Sequence, residues 1–182
     1  LIITGGEARG RRIASPEGMS VRPTASKIRQ AIFNILGARV AGAHFLDIFA
    51  GSGLMGIEAL SRGAELLVAI DENRKLTRAI EKNLVKLGYQ ATVIGGEFRQ
   101  VLPKLQPASF DIIFADPPYK SPFVGSLLQS LDRRNLLKPD GLLAIEHAKG
   151  LKFPEGLENF RLLETRTYGH TGVSFFDAGN NT

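Results

Sequence analysis

The chain has 182 residues, 43 % hydrophobic and 23 % charged, which suits one soluble domain with a full core or one domain and a small appendage. It has no apolar run of about 18 residues and no cysteine, which argues against a membrane span, disulfides, thiolate nucleophiles and Cys-ligated metals, and fits a reducing cytoplasm. The net charge of +5 is localised: residues 1–39 hold seven Lys/Arg against Glu7 and Glu17, while the remaining 16 basic and 16 acidic side chains cancel over 40–182.

The opening segment, LIITGGEARGRRIAS, lacks the basic-then-apolar order of a secretion signal and reads as a small β-ribbon. Its cations, Arg9, Arg11 and Arg12, followed by Arg22, Lys27 and Arg29, have the character of a phosphate-backbone contact surface. The plainer reading is a solvated basic face. TASKIRQAIFNILG (24–37) predicts an amphipathic helix with Ile28, Ile32, Phe33 and Leu36 inward and Thr24 or Ser26 as its cap.

From residue 43 strands and helices alternate. AHFLDIF (43–49) suits a buried parallel strand, and LMGIEALSRGA (54–64) a helix with Leu54, Ile57, Glu58 and Leu60 at helical spacing. LLVAID (66–71) is a strand, and ENRKLTRAIEKNLVKLG (72–88) a helix closed by Gly88. Then come ATVIG (91–95), a short helix near 98–105, SFDIIFA (109–115), a helix near 122–131 and GLLAIEH (141–147). Five strands with crossover helices imply a parallel sheet. Residues 160–169 and 172–178 face each other across a short turn and read as an antiparallel hairpin at its edge. The predicted class is α/β, a Rossmann-like, doubly wound, mostly parallel seven-stranded sheet. A basic extension (1–39) precedes the sheet domain (40–182).

The first strand leads into a glycine turn in which Gly51, Gly53 and Gly56 spell G-x-G-x-x-G. Asp71 follows 20 residues after Gly51, at the end of the second strand. Glycines let a ligand lie against bare backbone, and the acid accepts ribose hydroxyls. This describes an adenosine-bearing cofactor, and NAD and S-adenosylmethionine both satisfy it. Asp47 favours the latter, because a carboxylate there would oppose a pyrophosphate but complements a sulfonium and an ammonium. It also suits a residue that orders the glycine loop. Phe49 belongs to the same predicted cofactor set, and Glu97 is placed to accept from an adenine amine or to start a helix.

The fourth strand runs into Asp116-Pro117-Pro118-Tyr119, at the end of the sheet where ligands bind. An aromatic exocyclic amine is a poor nucleophile because its lone pair is delocalised. Acceptors on its two N–H groups, the Asp116 carboxylate and the Pro117 carbonyl, favour the geometry that aims the lone pair at a methyl. The prolines fix φ and offer no competing donor, and Tyr119 is suited to stacking on an extruded base. Alone, the motif also reads as a rigid strand terminator.

These motifs together resemble the bacterial small-subunit ribosomal RNA (guanine-N2)-methyltransferases of the RsmD type. GGEARGRRI, RPTASKIRQAIFNILG, FLDIFAGSGLMGIEALSRGA, DPPY, GLLAIEH and TRTYGHTGVSFF carry the likeness over nearly the whole chain. The family pattern usually has Asp and Glu where this chain has Ser26 and Gln30. The resemblance implies methylation of a guanine N2 in 16S rRNA, within the small subunit or its precursor. It also implies RNA contact by the basic segment, with Arg22, Pro23 and Thr24 near the site mouth, and a monomer that needs neither metal nor membrane. Other acceptors stay open: DNA adenine N6 or a protein glutamine. A non-catalytic RNA-binding role and a NAD-dependent oxidoreductase are competing classes.

Overall fold

The computed structural model describes residues 1–14, 23–118 and 123–179, the side chains of residues 23 and 24 excepted. Five parallel strands form its centre: β1 (His44–Ile48), β2 (Leu66–Asp71), β3 (Thr92–Gly95), β4 (Phe110–Ala115) and β5 (Leu137–Ala148). β6 (Phe160–Tyr168) and β7 (Thr171–Ala178) run antiparallel, with β7 inserted between β5 and the outermost β6. The order β3-β2-β1-β4-β5-β7-β6 is the seven-stranded, mostly parallel sheet expected. The chain leaves β1 to one side and returns on the other at β4, so the switch point lies between those strands.

Side chains alternate along β1 and feed two cores. Phe45 packs among α1 (Pro23–Leu36), α2 (Leu54–Ser61) and α3 (Arg74–Leu87), and Leu46 and Ile48 face α4 (Phe98–Val101) and α5 (Phe123–Arg134). α3 is capped at both ends: the Asn73 side chain accepts from Lys75 N–H, and Gly88 takes φ 80. In α1 the expected face is buried (Ile28, Ile32, Phe33, Leu36), but Ser26 lies inside the first turn and does not cap it. Among the described residues no helix is long and apolar enough to cross a membrane.

The N-terminal β-ribbon forms as expected and is short: Ile3 N–H donates to the Arg11 carbonyl (3.1 Å) and Ile13 N–H to the Leu1 carbonyl (3.0 Å). A single antiparallel bridge, Ile2↔Arg12, joins its two arms, and Gly6 (φ 78) and Gly10 (φ 85) turn the chain between them. The segment is also ordered by packing: Ile3, Ala8 and Ile13 are buried in the same core as Ile57 and Ile80.

This covering explains α2, which is buried along its whole length, Glu58 included. The Glu58 carboxylate is fully enclosed and accepts five hydrogen bonds. Thr4 donates its N–H (3.1 Å) and hydroxyl (2.7 Å), Arg29 its Nε (2.8 Å), and Arg62 its Nε (3.1 Å) and a terminal nitrogen (2.8 Å). The Arg62 guanidinium also covers the Phe33 ring at 4.6 Å. Burial pushes the Glu58 carboxyl up, but the Thr4 hydroxyl, Arg62, the Thr4 N–H and Arg29 together hold it below the usual range. Its contribution is therefore present above the unfolded carboxyl pKa and is lost as pH falls through the folded one.

Glu58→Gln keeps the shape but leaves Arg29 enclosed with an uncompensated charge. It is expected to destabilise the fold by about 3–5 kcal/mol, read as a lower urea midpoint at unchanged slope. A midpoint equal to that of the wild type would show that this carboxylate holds nothing together.

Candidate active site

The carboxyl ends of β1 and β2 are tied by the glycine turn. Ala50 N–H donates to the Ile70 carbonyl (2.9 Å) and Gly51 N–H to Asp71 Oδ2 (2.8 Å), while Asp71 Oδ1 accepts from Asn73 N–H (2.8 Å). Asp71 thus holds the loop as well as facing the cleft. Gly53, the N-cap of α2, sits at φ 75, and a Cβ there would lie 2.7 Å from Ile80 Cγ1. Gly56 has an ordinary conformation but no room: its Cβ would meet Leu67 Cδ1 at 2.6 Å. Phe49 is a non-glycine residue at φ 63, a strained conformation of the kind that collects at binding sites.

Asp47 stands beneath this turn, 1 % exposed. Its Oδ2 accepts from Gly56 N–H at 2.9 Å, so it does order the loop. Its Oδ1 is buried without a hydrogen-bond partner. Burial raises its carboxyl to about 7, the Gly56 N–H opposes the rise, and the charge of Asp71 adds to it. A buried acceptor left open beside a second acid is a place for a donor, best a cationic one.

Alongside lies a cavity with apolar walls from Ile48, Phe49, Ile70, Phe98, Pro118 and Phe123. The Phe49 and Phe98 rings meet edge to face at 5.3 Å, and Phe98 and Phe123 at 6.3 Å. Asp71, Glu72 and Glu97 bring acids to its rim. Glu97 caps α4, its Oε2 accepting from Arg99 N–H (3.1 Å), and its Oε1 pairs with the Arg99 guanidinium (2.8 Å). Arg99 lies over Phe98 (4.7 Å) and Phe123 (5.3 Å) and donates to Ser126 Oγ (2.9 Å), fastening α4 to α5 across the cavity. An aromatic-walled cavity with acids at its rim and an unsatisfied carboxylate on the neighbouring strand end suits an aromatic nucleoside that carries a cation.

Sequence reasoning did not single out Glu72, Phe98, Arg99 or Phe123. Glu72 and Phe98 adjoin predicted residues and were findable as neighbours. Phe123 is brought in by α5, and no spacing in the sequence announces it.

β4 delivers Asp116 beside β1, with its N–H directed at the Ile48 carbonyl (3.4 Å). Asp116 is exposed at the cleft mouth, Pro117 is buried, and Pro118 lines the cavity. Surrounding protein, then Glu146 and Asp47, raise the Asp116 carboxyl to about 7. The residue opens to solvent, which lessens the effect of burial and also screens the two carboxylate charges. Tyr119 lies outside the described residues. No group of three or more His, Asp or Glu side chains able to hold a metal occurs among the described residues.

Of the predicted RNA contacts, Arg9, Arg11, Arg12 and Lys27 are exposed, and Arg22 lies outside the described residues. Arg29 must be corrected. It is 7 % exposed, paired with Glu58 and bonded to the Ile2 carbonyl (3.1 Å), so its charge serves the core and cannot reach a phosphate. Arg11 donates to the Lys86 carbonyl in the last turn of α3 (3.0 Å), the end remote from the cleft.

The chain matches, over residues 1–177, the family described as conserved hypothetical protein 95. It is 35 % identical to YlbH of Bacillus subtilis, covering 96 % of this chain and 97 % of that protein. It is 34 % identical to ribosomal RNA small subunit methyltransferase D of Haemophilus influenzae, covering 92 % and 88 %. The solved structure of yhhF from Escherichia coli superposes with a TM-score of 0.86 at 29 % identity, covering 98 % of this chain and 97 % of that one. A family match over residues 1–177, relatives 34–35 % identical over more than nine-tenths of the chain and a shared fold converge: the chain belongs to the conserved hypothetical protein 95 family, that of the RsmD-type methyltransferases.

Proposed function

We propose that this protein transfers a methyl group from S-adenosylmethionine to the exocyclic N2 amine of a guanine in 16S rRNA, in the small subunit or its precursor. One observation carries the reading: the buried, unpartnered Asp47 Oδ1 and the Asp116-Pro117 turn belong to adjacent parallel strands, β1 and β4, near enough for the Asp47 charge to act on Asp116. The relatives named as small-subunit methyltransferase D supply the class of RNA.

The residues fit the cofactor. Asp47 Oδ1 would accept from its ammonium, Asp71 and Glu72 from its ribose hydroxyls, and Glu97 from its adenine amine, with the ring in the slot of Phe49 and Phe98. Gly51, Gly53 and Gly56 keep the backbone low beneath it. When bound, S-adenosylmethionine supplies an electrophilic methyl on a sulfonium. The Asp116 carboxylate and the Pro117 carbonyl hold the target amine by its two hydrogens, and Tyr119 stacks on the base. The nitrogen that gains a methyl sheds one proton, and a carboxyl near 7 is matched to receive it. Catalysis is otherwise positioning and electrostatics. Residues 1–39 contribute the RNA contacts of Arg9, Arg11, Arg12, Arg22 and Lys27.

Tritium from labelled S-adenosylmethionine, offered with small subunits or bare 16S rRNA, is expected in N2-methylguanosine after digestion. Label in another nucleoside or in protein would overturn the acceptor. Asp116→Ala is expected to abolish transfer while S-adenosylhomocysteine still binds. In the wild type, the rate at subsaturating cofactor, which reports the free protein, should fall at least tenfold per pH unit below about 7, as Asp116 and Asp47 take up protons. A rate flat from pH 5 to 8 would remove Asp116 from the chemistry. Tyr119→Phe should be tolerated better than Tyr119→Ala; equal losses would assign the role to the hydroxyl.

Asp47 gives a test independent of turnover. Its folded pKa is raised, so the protein is stabilised below the unfolded value and that stability is lost as pH climbs through about 7. Asp47→Asn is therefore expected to raise Tm at pH 8 by about 5 °C, with the gain shrinking toward pH 5. The same variant should lose S-adenosylhomocysteine binding by calorimetry. Unaltered binding would place the cofactor elsewhere.

A further inference from the structure

The outer face of α3 carries Arg74, Arg78, Lys82 and Lys86 at intervals of four residues, all exposed. At 3.6 residues per turn this spacing sets them in one gently drifting stripe, about 6 Å apart along the axis. The arrangement works against the helix. Like charges four apart repel, and the first turn holds Arg74 and Lys75 with no acid, where the helix dipole favours negative charge. Among the described residues none of these cations has an acidic partner, and Glu81, the one acid of α3, forms no ion pair. Val85, 81 % exposed, forms an open shallow depression with Arg78, Glu81 and Lys82.

The stripe connects two places already described. At its upper end α3 starts three residues after Asp71, at the rim of the cofactor cleft. At its foot the ribbon is stapled on: Arg11 donates to the Lys86 carbonyl, and Lys86 Nζ reaches the Arg12 carbonyl (3.4 Å). The 14 residues of α3 span about 21 Å. Without the helix, Arg11 and Arg12 would be cations stranded a helix length from the chemistry.

We infer that the outward face of α3 is a phosphate-contact surface, on which the backbone of the substrate RNA runs from the cleft down to Arg11 and Arg12. This rests on the RNA-methyltransferase reading and extends its interface beyond the N-terminal segment, into a stretch of chain whose overall charge is neutral. The occupant follows from charge complementarity. An unneutralised row of cations at regular steps, continuous with the cleft, fits a polyanion whose charges also recur at regular steps. Beside the row lie the exposed Val85 and a single acid of the helix, Glu81, against four cations.

The test is the salt dependence of binding to a fluorescently labelled 16S rRNA transcript, measured from 50 to 300 mM KCl. The double variant R78Q/K82Q is expected to lower the slope of log K against log [KCl] by about 1.5, at 0.7–0.9 per released contact. Its Tm and S-adenosylhomocysteine affinity should equal the wild type's. A control, K104Q/R133Q, removes the same charge from the opposite face of the sheet, where both residues are exposed. Its slope should stay within about 0.3 of wild type. An unchanged slope in R78Q/K82Q, or an equal drop in the control, would overturn the surface while leaving the enzyme reading intact. Wild-type protein that binds no RNA, yet retains S-adenosylhomocysteine, would overturn both. Retention on phosphatidylserine vesicles at a KCl concentration that releases the RNA would assign the stripe to membranes instead.

Discussion

On the face of the sheet that carries α1 and α2, one carboxylate ties three segments together. Glu58 lies fully enclosed in α2, and its two oxygens collect the ribbon through Thr4, α1 through Arg29 and the end of its own helix through Arg62. A single glutamate in that position is costly to bury unless every lone pair is used. Here the cost is offset by two guanidiniums and two donors from one threonine. The consequence reaches the site, because α2 is the helix that the glycine turn enters. Fixing its middle fixes the height of Gly53 and Gly56, and with them the N–H that holds Asp47.

The cleft itself is arranged in the opposite sense. Where Glu58 is saturated, Asp47 keeps one buried oxygen without a partner, and Asp116 is crowded by Glu146 and Asp47. Burial first, and then the charge of neighbouring acids, brings both carboxyls to about 7. A fold with a neutralised hub can carry such a charged pit, since strain at one end of the sheet is tolerated only when the rest over-determines the backbone. The strained φ of Phe49, between β1 and the glycine turn, belongs to the same end.

The sheet was legible because its strands are short, apolar and bounded by glycine, proline or acid, and because parallel strands demand crossovers. All seven strands and the hairpin lie within a few residues of their predicted places. The glycine turn, Asp47, Asp71 and the Asp-Pro-Pro corner were legible as well, since each sits at the carboxyl end of a strand that could be read. What composition hid was pairing. Arg29 reads as one more cation of a basic arm, and only the fold reveals that Glu58, 29 residues on, consumes it. The ribbon itself was legible, but not its packing: Ile3, Ala8 and Ile13 enter a core that other segments supply. The cations of α3 were invisible for a different reason. A neutral total over 40–182 averages a basic helix face with acids that lie elsewhere.

The ribbon's anchorage sets a condition on what it meets. A basic tail on a tether would search a wide volume and lose chain entropy at each encounter. Residues 1–14 are instead held by apolar burial and by bonds to Glu58, Ser61 and Asn83, so Arg11 and Arg12 are already fixed relative to β1 when a partner arrives. Such a surface does not adapt. On the proposed RNA path it would act as a gauge, accepting a partner whose own shape already spans the interval and turning away one that would have to be bent to it.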